Sequence, residues 1–440
     1  MREQSSFRDP SGYIDIDEGR VTRFISPDFQ QEVSYFIESG LAEKLIKEGS
    51  LLSFERPFVD RLYPQYLDFI SYPYEWSFSM LRDAALLNLD TCLTSLEYGF
   101  ILKDASAYNV QFLSNKPILI DHLSFISYSE GTPWLAYKQF CQHFLYPLVL
   151  ASYRGSEFLR LSQLYIDGIP AATVSKLLPS ILPPMLWMHI RPNSWKVKVK
   201  KVPKTRKVVV ISLLKSLRKL ILKLKLPTTT SWLPYMEEKA SYSPKASRSK
   251  IELVDSLLSS LRFGGYSTLV DLGCNTGLFT LLATSSGFST TAIDFDSSSI
   301  DSLYKLGYSN PYLKNLLVGD ICNPSPSIGW NLEERKSLLE RLNCDVCLAL
   351  ALIHHLAISG GIPLGMIAES LSSFCSALVI EWVPKSDPMV EELLRLREDI
   401  FVDYSIEGFK EAFSKYFLIA SQTPIEDSRR SIFLLIRREG

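Results

Sequence analysis

Two groups of residues in this 440-residue chain have the types and spacing to do chemistry. The first is Asp271-Leu272-Gly273-Cys274-Asn275-Thr276-Gly277, placed between an apolar run and a helical pattern. Glycine permits the dihedrals and close backbone approach that a ligand-cradling turn needs. In an open α/β sheet such a turn lies beyond the carboxyl ends of the strands, where ligands bind. Asp294 ends the next predicted strand, where a carboxylate can accept from two ribose hydroxyls. Asp320 and Ile321 end the third, where a carboxylate can accept from an exocyclic amine. The fourth strand runs into His354-His355, two imidazoles at the mouth of the same pocket. An imidazole with a near-neutral pKa suits proton removal from a hydroxyl acceptor. Glu381 ends the fifth strand and points to that mouth, or else partners Lys385 or a backbone amide. A dinucleotide pyrophosphate wants G-x-G-x-x-G, and Asn275 stands where its second glycine would be.

The second group is Asp104, Asn109 and Asp121, with a predicted hairpin between the last two. Read from the residues alone, these side chains serve as polar contacts in a helical domain. Cys344-x-x-Cys347 has metal-like spacing, but it lacks a second pair and enters an apolar strand, so no metal site is expected. Tyr72-Pro73-Tyr74-Glu75-Trp76 reads as an aromatic core around one carboxylate, or as a stacking platform.

The elements that would position these groups follow from periodicity. Residues 1–190 predict an N-terminal α+β domain. It has a hairpin through the Glu18-Gly19 turn, helices over 28–47, 77–96, 134–153 and 158–178, and a second hairpin over 109–123. Residues 191–250 predict a basic amphipathic helix and a linker. The helix, over 212–226, carries a stripe of Leu213, Leu217, Leu220 and Leu224. Residues 251–440 alternate strand and helix, which predicts a mostly parallel, Rossmann-like sheet with an antiparallel pair at one edge, an α/β fold. One helix of that domain is expected around 332–342.

The formal net charge is −1, which hides an asymmetry. Arg191 to Lys225 holds 13 Lys/Arg and no Asp/Glu, so the rest of the chain is acidic. Such a block suggests an anionic partner, a peripheral membrane contact through 212–226, or a helix docked by its leucines. No strong nucleic-acid signal accompanies it. The seven cysteines are irregularly spaced and odd in number, which suits a reducing cytoplasm. The uncharged run 346–368 contains His354, His355, Gly360, Gly361 and Pro363, so it reads as strand, loop and helix start rather than a span.

DLGCNTG, followed by Asp294 and Asp320 in strand–helix context, resembles the first motifs of the class I S-adenosylmethionine-dependent methyltransferases. The resemblance covers about 251–440. It implies that Asp271, Gly273, Asn275 and Gly277 line the methionine moiety, that Asp294 holds the ribose, and that Asp320 with Ile321 faces the adenine. LKDASAYNV and ILID resemble the catalytic loop and metal-binding Asp of kinase-like phosphotransferases. There the first Asp acts as base while Asn and the second Asp hold magnesium. Lys103 and His122-Leu123 depart from that pattern, and a glycine-rich phosphate loop and a strand lysine are missing from it. Together with YPYEWSFSMLRDAALL and LALALIHHLAI, these motifs resemble the NoeA-like nodulation-associated proteins. That resemblance implies methyl transfer to a small-molecule or glycan acceptor. The alternatives are a non-catalytic cofactor-binding protein and an additional phosphotransferase.

Overall fold

The computed structural model describes residues 2–17, 19–194, 204–227, 242–306, 310–395 and 398–438. The chain forms two compact units. One comprises Met1–Thr228 with Ser327–Lys336, the other Thr229–Pro326 with Ser337–Gly440.

The N-terminal unit opens with strands β1 (Gly12–Asp17), β2 (Arg20–Ile25), β3 (Phe54–Phe58) and β4 (Arg61–Pro64), in the order β1-β2-β4-β3. The helical pattern over 28–47 becomes two helices, Gln30–Glu38 and Leu41–Lys47. Gly40, left-handed at φ 79°, separates them. The longest helix of this unit, Phe78–Glu97, starts where the Ser77 hydroxyl accepts from the Met80 N–H. Two small antiparallel pairs complete the unit: β5 (Phe100–Leu102) with β8 (Phe125–Ser127), and β6 (Val110–Leu113) with β7 (Lys116–Leu119). Ser114 and Asn115 turn the second pair with φ of 50° and 59°, the dihedral signs of a two-residue hairpin turn.

The basic helix differs from expectation. It spans Lys207–Lys223 and buries Val210, Leu214, Leu217, Leu220 and Ile221, packing on Phe78–Glu97 inside the N-terminal unit. Leu213, at the edge of this stripe, is only half-buried. The described helix is therefore docked by its apolar stripe within the first folded unit, one of the alternatives the sequence offered. Residues 195–203 of the basic segment, and the connector 228–241, lie outside the described residues. Ser327–Lys336 is a second departure. In place of a helix over 332–342 there is one short turn of helix, Leu338–Arg341. The preceding residues pack in the N-terminal unit, where the carboxylate of Glu334 accepts from Arg8 Nε at 2.7 Å and Nη2 at 3.0 Å.

The C-terminal unit is a seven-stranded sheet of β9 (Thr268–Leu272), β10 (Ser289–Asp294), β11 (Leu313–Val318), β12 (Cys344–Ala349), β13 (Cys375–Trp382), β14 (Phe417–Pro424) and β15 (Ser431–Arg437). The order is β11-β10-β9-β12-β13-β15-β14. Pairings among β9–β13 are parallel, and β15 runs antiparallel to both neighbours. Continuous apolar runs suit parallel strands covered on both faces, and β12 and β13 are buried almost throughout. The strand order reverses between β9 and β12, so the switch point lies at their carboxyl ends. Cys344 and Cys347 are buried thiols on β12. Among the described residues no helix is long and apolar enough to cross a membrane.

Candidate functional site

The turn after β9 is left-handed at Gly273 (φ 70°), Asn275 (φ 49°) and Gly277 (φ 91°). A Cβ on Gly277 would run into the side chain of Leu303, so both sterics and dihedral require glycine there. The N–H groups of Gly273 and Cys274 donate to the carbonyl of Ile293 at 2.9 and 3.2 Å, tying the turn to β10. Gly277 then starts the helix Leu278–Ser285.

Asp294 ends β10 and is buried. Its two carboxylate oxygens accept from the N–H groups of Asn275 and Asp296, each at 2.8 Å. Burial outweighs those bonds and raises its pKa. Asp271, on β9, is 2% exposed and accepts from Thr280 Oγ1 at 2.6 Å. Burial pushes it up to about 6. Asp320 and Ile321 follow β11 and are half-buried, with Asp320 accepting from the Cys322 N–H at 2.9 Å. The N–H groups of this turn are spent on Ile293, Asp294 and the turn itself, and the fixed carboxylate beside it suits a hydroxyl-bearing, cationic ligand better than a pyrophosphate, which it would repel.

Past β12, Ala351 takes φ 50° and the chain enters a π-helical turn, His355–Ser359, a local geometry found often at functional sites. The two imidazole rings lie 4.2 Å apart, but their surroundings differ. His354 is 2% exposed and its Nδ1 has no partner. Burial, then His355, Arg430 and Lys250, push its pKa down to about 2, so the ring is neutral near pH 7. His355 is exposed. Desolvation and the charge of Arg430 hold its pKa below the usual value.

Glu381 is fully buried at the end of β13. Oε2 meets Lys250 Nζ at 2.7 Å and accepts from the Ala351 N–H at 2.9 Å. Oε1 accepts from the Tyr242 hydroxyl and lies 3.3 Å from Arg430 Nη1. Arg430 forks onto Asp387, with Nε–Oδ2 at 2.6 Å and Nη2–Oδ1 at 2.9 Å. Lys385, one sequence-based candidate for a Glu381 partner, pairs instead with Asp399 at 2.7 Å. Lys250 comes from the helix Pro244–Phe263, and Arg430 from just before β15. Sequence reasoning missed Lys250, Tyr242, Asp387 and Arg430, because none of them lies in a recognisable motif.

In the N-terminal unit, Asn109 Nδ2 reaches Asp121 Oδ2 at 3.4 Å. Asp104 accepts instead from the Ser106 N–H at 2.7 Å, and burial and the Asp121 charge raise its pKa. Asp121 accepts from Arg23 Nη2 and from the Ser124 hydroxyl, both at 2.5 Å, and from the Leu123 N–H at 3.1 Å. Burial alone would raise its pKa, but Arg23 and these bonds outweigh it and the pKa is lowered. Arg23, which sequence reasoning also missed, bridges to Asp9 at 2.9 Å. The expected metal-holding carboxylate, Asp121, is therefore paired with Arg23, while the expected base, Asp104, holds the Ser106 amide.

No family model matches the chain. It is 32% identical over 475 residues to Nodulation protein NoeA of Rhizobium meliloti (strain 1021), covering 100% of this chain and 96% of that protein. Among solved structures it is similar to the bifunctional kinase-methyltransferase WbdD, at 19% identity and TM-score 0.33, over 50% of this chain and 46% of that one. A magnesium protoporphyrin IX methyltransferase (ChlM) from Synechocystis PCC 6803, solved with bound SAM, is 13% identical at TM-score 0.32, over 47% of this chain and 92% of that one. The fold rests on the strand order of the C-terminal unit and the relationship on the full-length match: the chain belongs to the NoeA family of nodulation proteins.

Proposed function

We propose that the protein transfers a methyl group from S-adenosylmethionine to a small-molecule or glycan acceptor, using its C-terminal unit. The observation that carries this reading is the left-handed turn at Gly273, Asn275 and Gly277 beside the buried Asp294, at the point where the strand order reverses. Asp271, Gly273, Asn275 and Gly277 would hold the methionine end. Asp294 has a second lone pair on each oxygen for the ribose hydroxyls, and Asp320 with Ile321 would face the adenine. The cofactor supplies a methyl on a sulfonium, already activated toward displacement.

The chain's own contribution is then orientation and proton handling. Fixing donor and acceptor in line accounts for roughly 7–11 kcal/mol of barrier. Of the two imidazoles, His355 is the better base. The residue is exposed, whereas His354 is buried and too weakly basic to take a proton near pH 7. His354 is buried together with its Nδ1, which supports a packing role for it rather than contact with the acceptor. Glu381 is taken up by Lys250, Tyr242, Arg430 and the Ala351 amide, which supports a positioning role for it rather than contact with the acceptor.

Phosphoryl transfer in the N-terminal unit would need Asp121 free for magnesium. Arg23 at 2.5 Å opposes that, and the geometry supports a structural use of Asp104, Asn109 and Asp121. Calorimetric titration of the full chain with S-adenosylmethionine tests the reading. Saturable binding weakened by Asp294→Ala supports it, and an absence of binding rejects it.

A further inference from the structure

The basic helix Lys207–Lys223 uses only one of its faces for the core. Val210, Leu214, Leu217, Leu220 and Ile221 are buried against the N-terminal unit. On the other face, Val208, Lys215, Lys219 and Leu222 follow one another at seven-, four- and three-residue steps, which places them in one line. Val208 is 62% and Leu222 48% exposed. Lys215, Lys219 and the adjoining Lys223 are exposed and form no ion pair among the described residues, whereas Arg218, nearer the core, is satisfied by Asp90 at 2.7 Å. The flanking Lys204, Arg206 and Lys225 are exposed too.

This face is cationic and apolar at once. Single exposed apolar side chains are ordinary on a protein surface, but here Val208 and Leu222 share one line with Lys215 and Lys219, and a soluble polyanion would leave the two apolar side chains in water. An anionic bilayer surface satisfies both, since the lysines reach the headgroups while the short apolar side chains enter the acyl boundary. The chain also concentrates 13 Lys/Arg and no Asp/Glu in Arg191–Lys225, while its overall charge is −1. The helix is already folded and docked, so membrane binding would not have to supply the entropy of ordering it.

We propose that the outward face of Lys207–Lys223 seats the protein on the surface of an anionic lipid membrane, with Lys215, Lys219 and Lys223 against headgroups and Val208 and Leu222 inserted between them. The contact is peripheral, and it is independent of the cofactor site assigned above.

The test is co-sedimentation of the full chain with phosphatidylglycerol–phosphatidylcholine vesicles and with pure phosphatidylcholine vesicles. Binding to the anionic vesicles alone is expected. Reversing Lys215, Lys219 and Lys223 to Glu should weaken it roughly a hundredfold or more. Val208→Ser with Leu222→Ser should weaken it roughly tenfold, from the apolar surface lost. All five side chains are exposed, so circular dichroism should show both variants folded. Calorimetry with S-adenosylmethionine should show unchanged cofactor affinity, which separates this proposal from the methyltransferase reading. Equal binding to neutral vesicles, or undiminished binding by the lysine variant, would overturn it. So would loss with the lysine variant but none with the apolar variant, which would indicate a soluble polyanion.

Discussion

The carboxylate of Glu381 accepts a hydrogen bond from the backbone N–H of Ala351 at 2.9 Å. Ala351 is left-handed at φ 50° and leads directly into His354 and His355. A non-glycine residue in that region is held at some cost, and here the constraint is a carboxylate itself fixed by Lys250 at 2.7 Å. Strand β13 thus sets the path of the loop that leaves β12.

The first prediction concerns that constraint. Glu381→Gln keeps an oxygen for the Ala351 amide but leaves Lys250, 6% exposed, without its carboxylate. Removing one partner of a buried pair costs about 3–5 kcal/mol. Urea denaturation should show a loss of that order. Lys250→Met combined with Glu381→Gln should lose less than the sum of the single losses. Additive losses would mean that the pair is not coupled.

How much of this site could be read in advance depended on whether its signal was local. Gly273, Asn275 and Gly277 stand within five residues, and the apolar runs of β9, β12 and β13 mark buried parallel strands. Strand–helix alternation predicted a mostly parallel sheet with an antiparallel edge pair, but not the order of its strands. Lys250, Tyr242 and Arg430 converge from distant parts of the chain on a carboxylate that periodicity does not reveal. The stripe of the basic helix was legible, but the surface it docks on was not. The short connection Ser327–Lys336 has no periodicity, so its membership of the N-terminal unit left no trace in the sequence.

A second prediction follows from the cradle. Gly277→Ala adds a Cβ against Leu303 and forces a left-handed alanine. Left-handed strain costs about 1–2 kcal/mol, before any contact with Leu303. Cofactor affinity measured by calorimetry should fall at least tenfold, while Gly365→Ala, a substitution in open space on another helix, should leave it unchanged. Equal affinities would remove the turn from the binding site.

The pH dependence of stability offers a third. His354 has a folded pKa near 2, below its unfolded value of about 6.5. Its contribution is therefore full above about 6.5 and is lost as pH falls below that. Asp271 behaves oppositely. Its folded pKa of about 6 exceeds the unfolded value of about 3.9. The native state keeps a proton that the unfolded chain has released, so its contribution falls as pH rises from about 4 to 6. His354→Gln should flatten the loss of stability between pH 6.5 and 4.5, and Asp271→Asn should steepen it. Urea midpoints across that range check both, and parallel curves for all three proteins would contradict the assignment.

The N-terminal network supplies a fourth. Arg23→Leu strips the buried Asp121 of its cation. The loss of stability should reach about 3–5 kcal/mol at pH 7 and shrink toward pH 4, where Asp121 can take a proton. A pH-independent loss would show that the pair is not the relevant interaction. Nucleotide binding is a separate readout: magnesium-dependent ATP binding by the native chain, abolished by Asp121→Ala, would overturn the structural use of this network.

The most direct test of the central claim is transfer of a labelled methyl group from S-adenosylmethionine into a fractionated extract of the native cell, followed by mass analysis of the labelled product. The methyltransferase reading predicts a discrete labelled small molecule or glycan that disappears with Asp294→Ala. Cofactor bound by the native protein with no label leaving it would contradict that reading and make the C-terminal unit a non-catalytic binding domain.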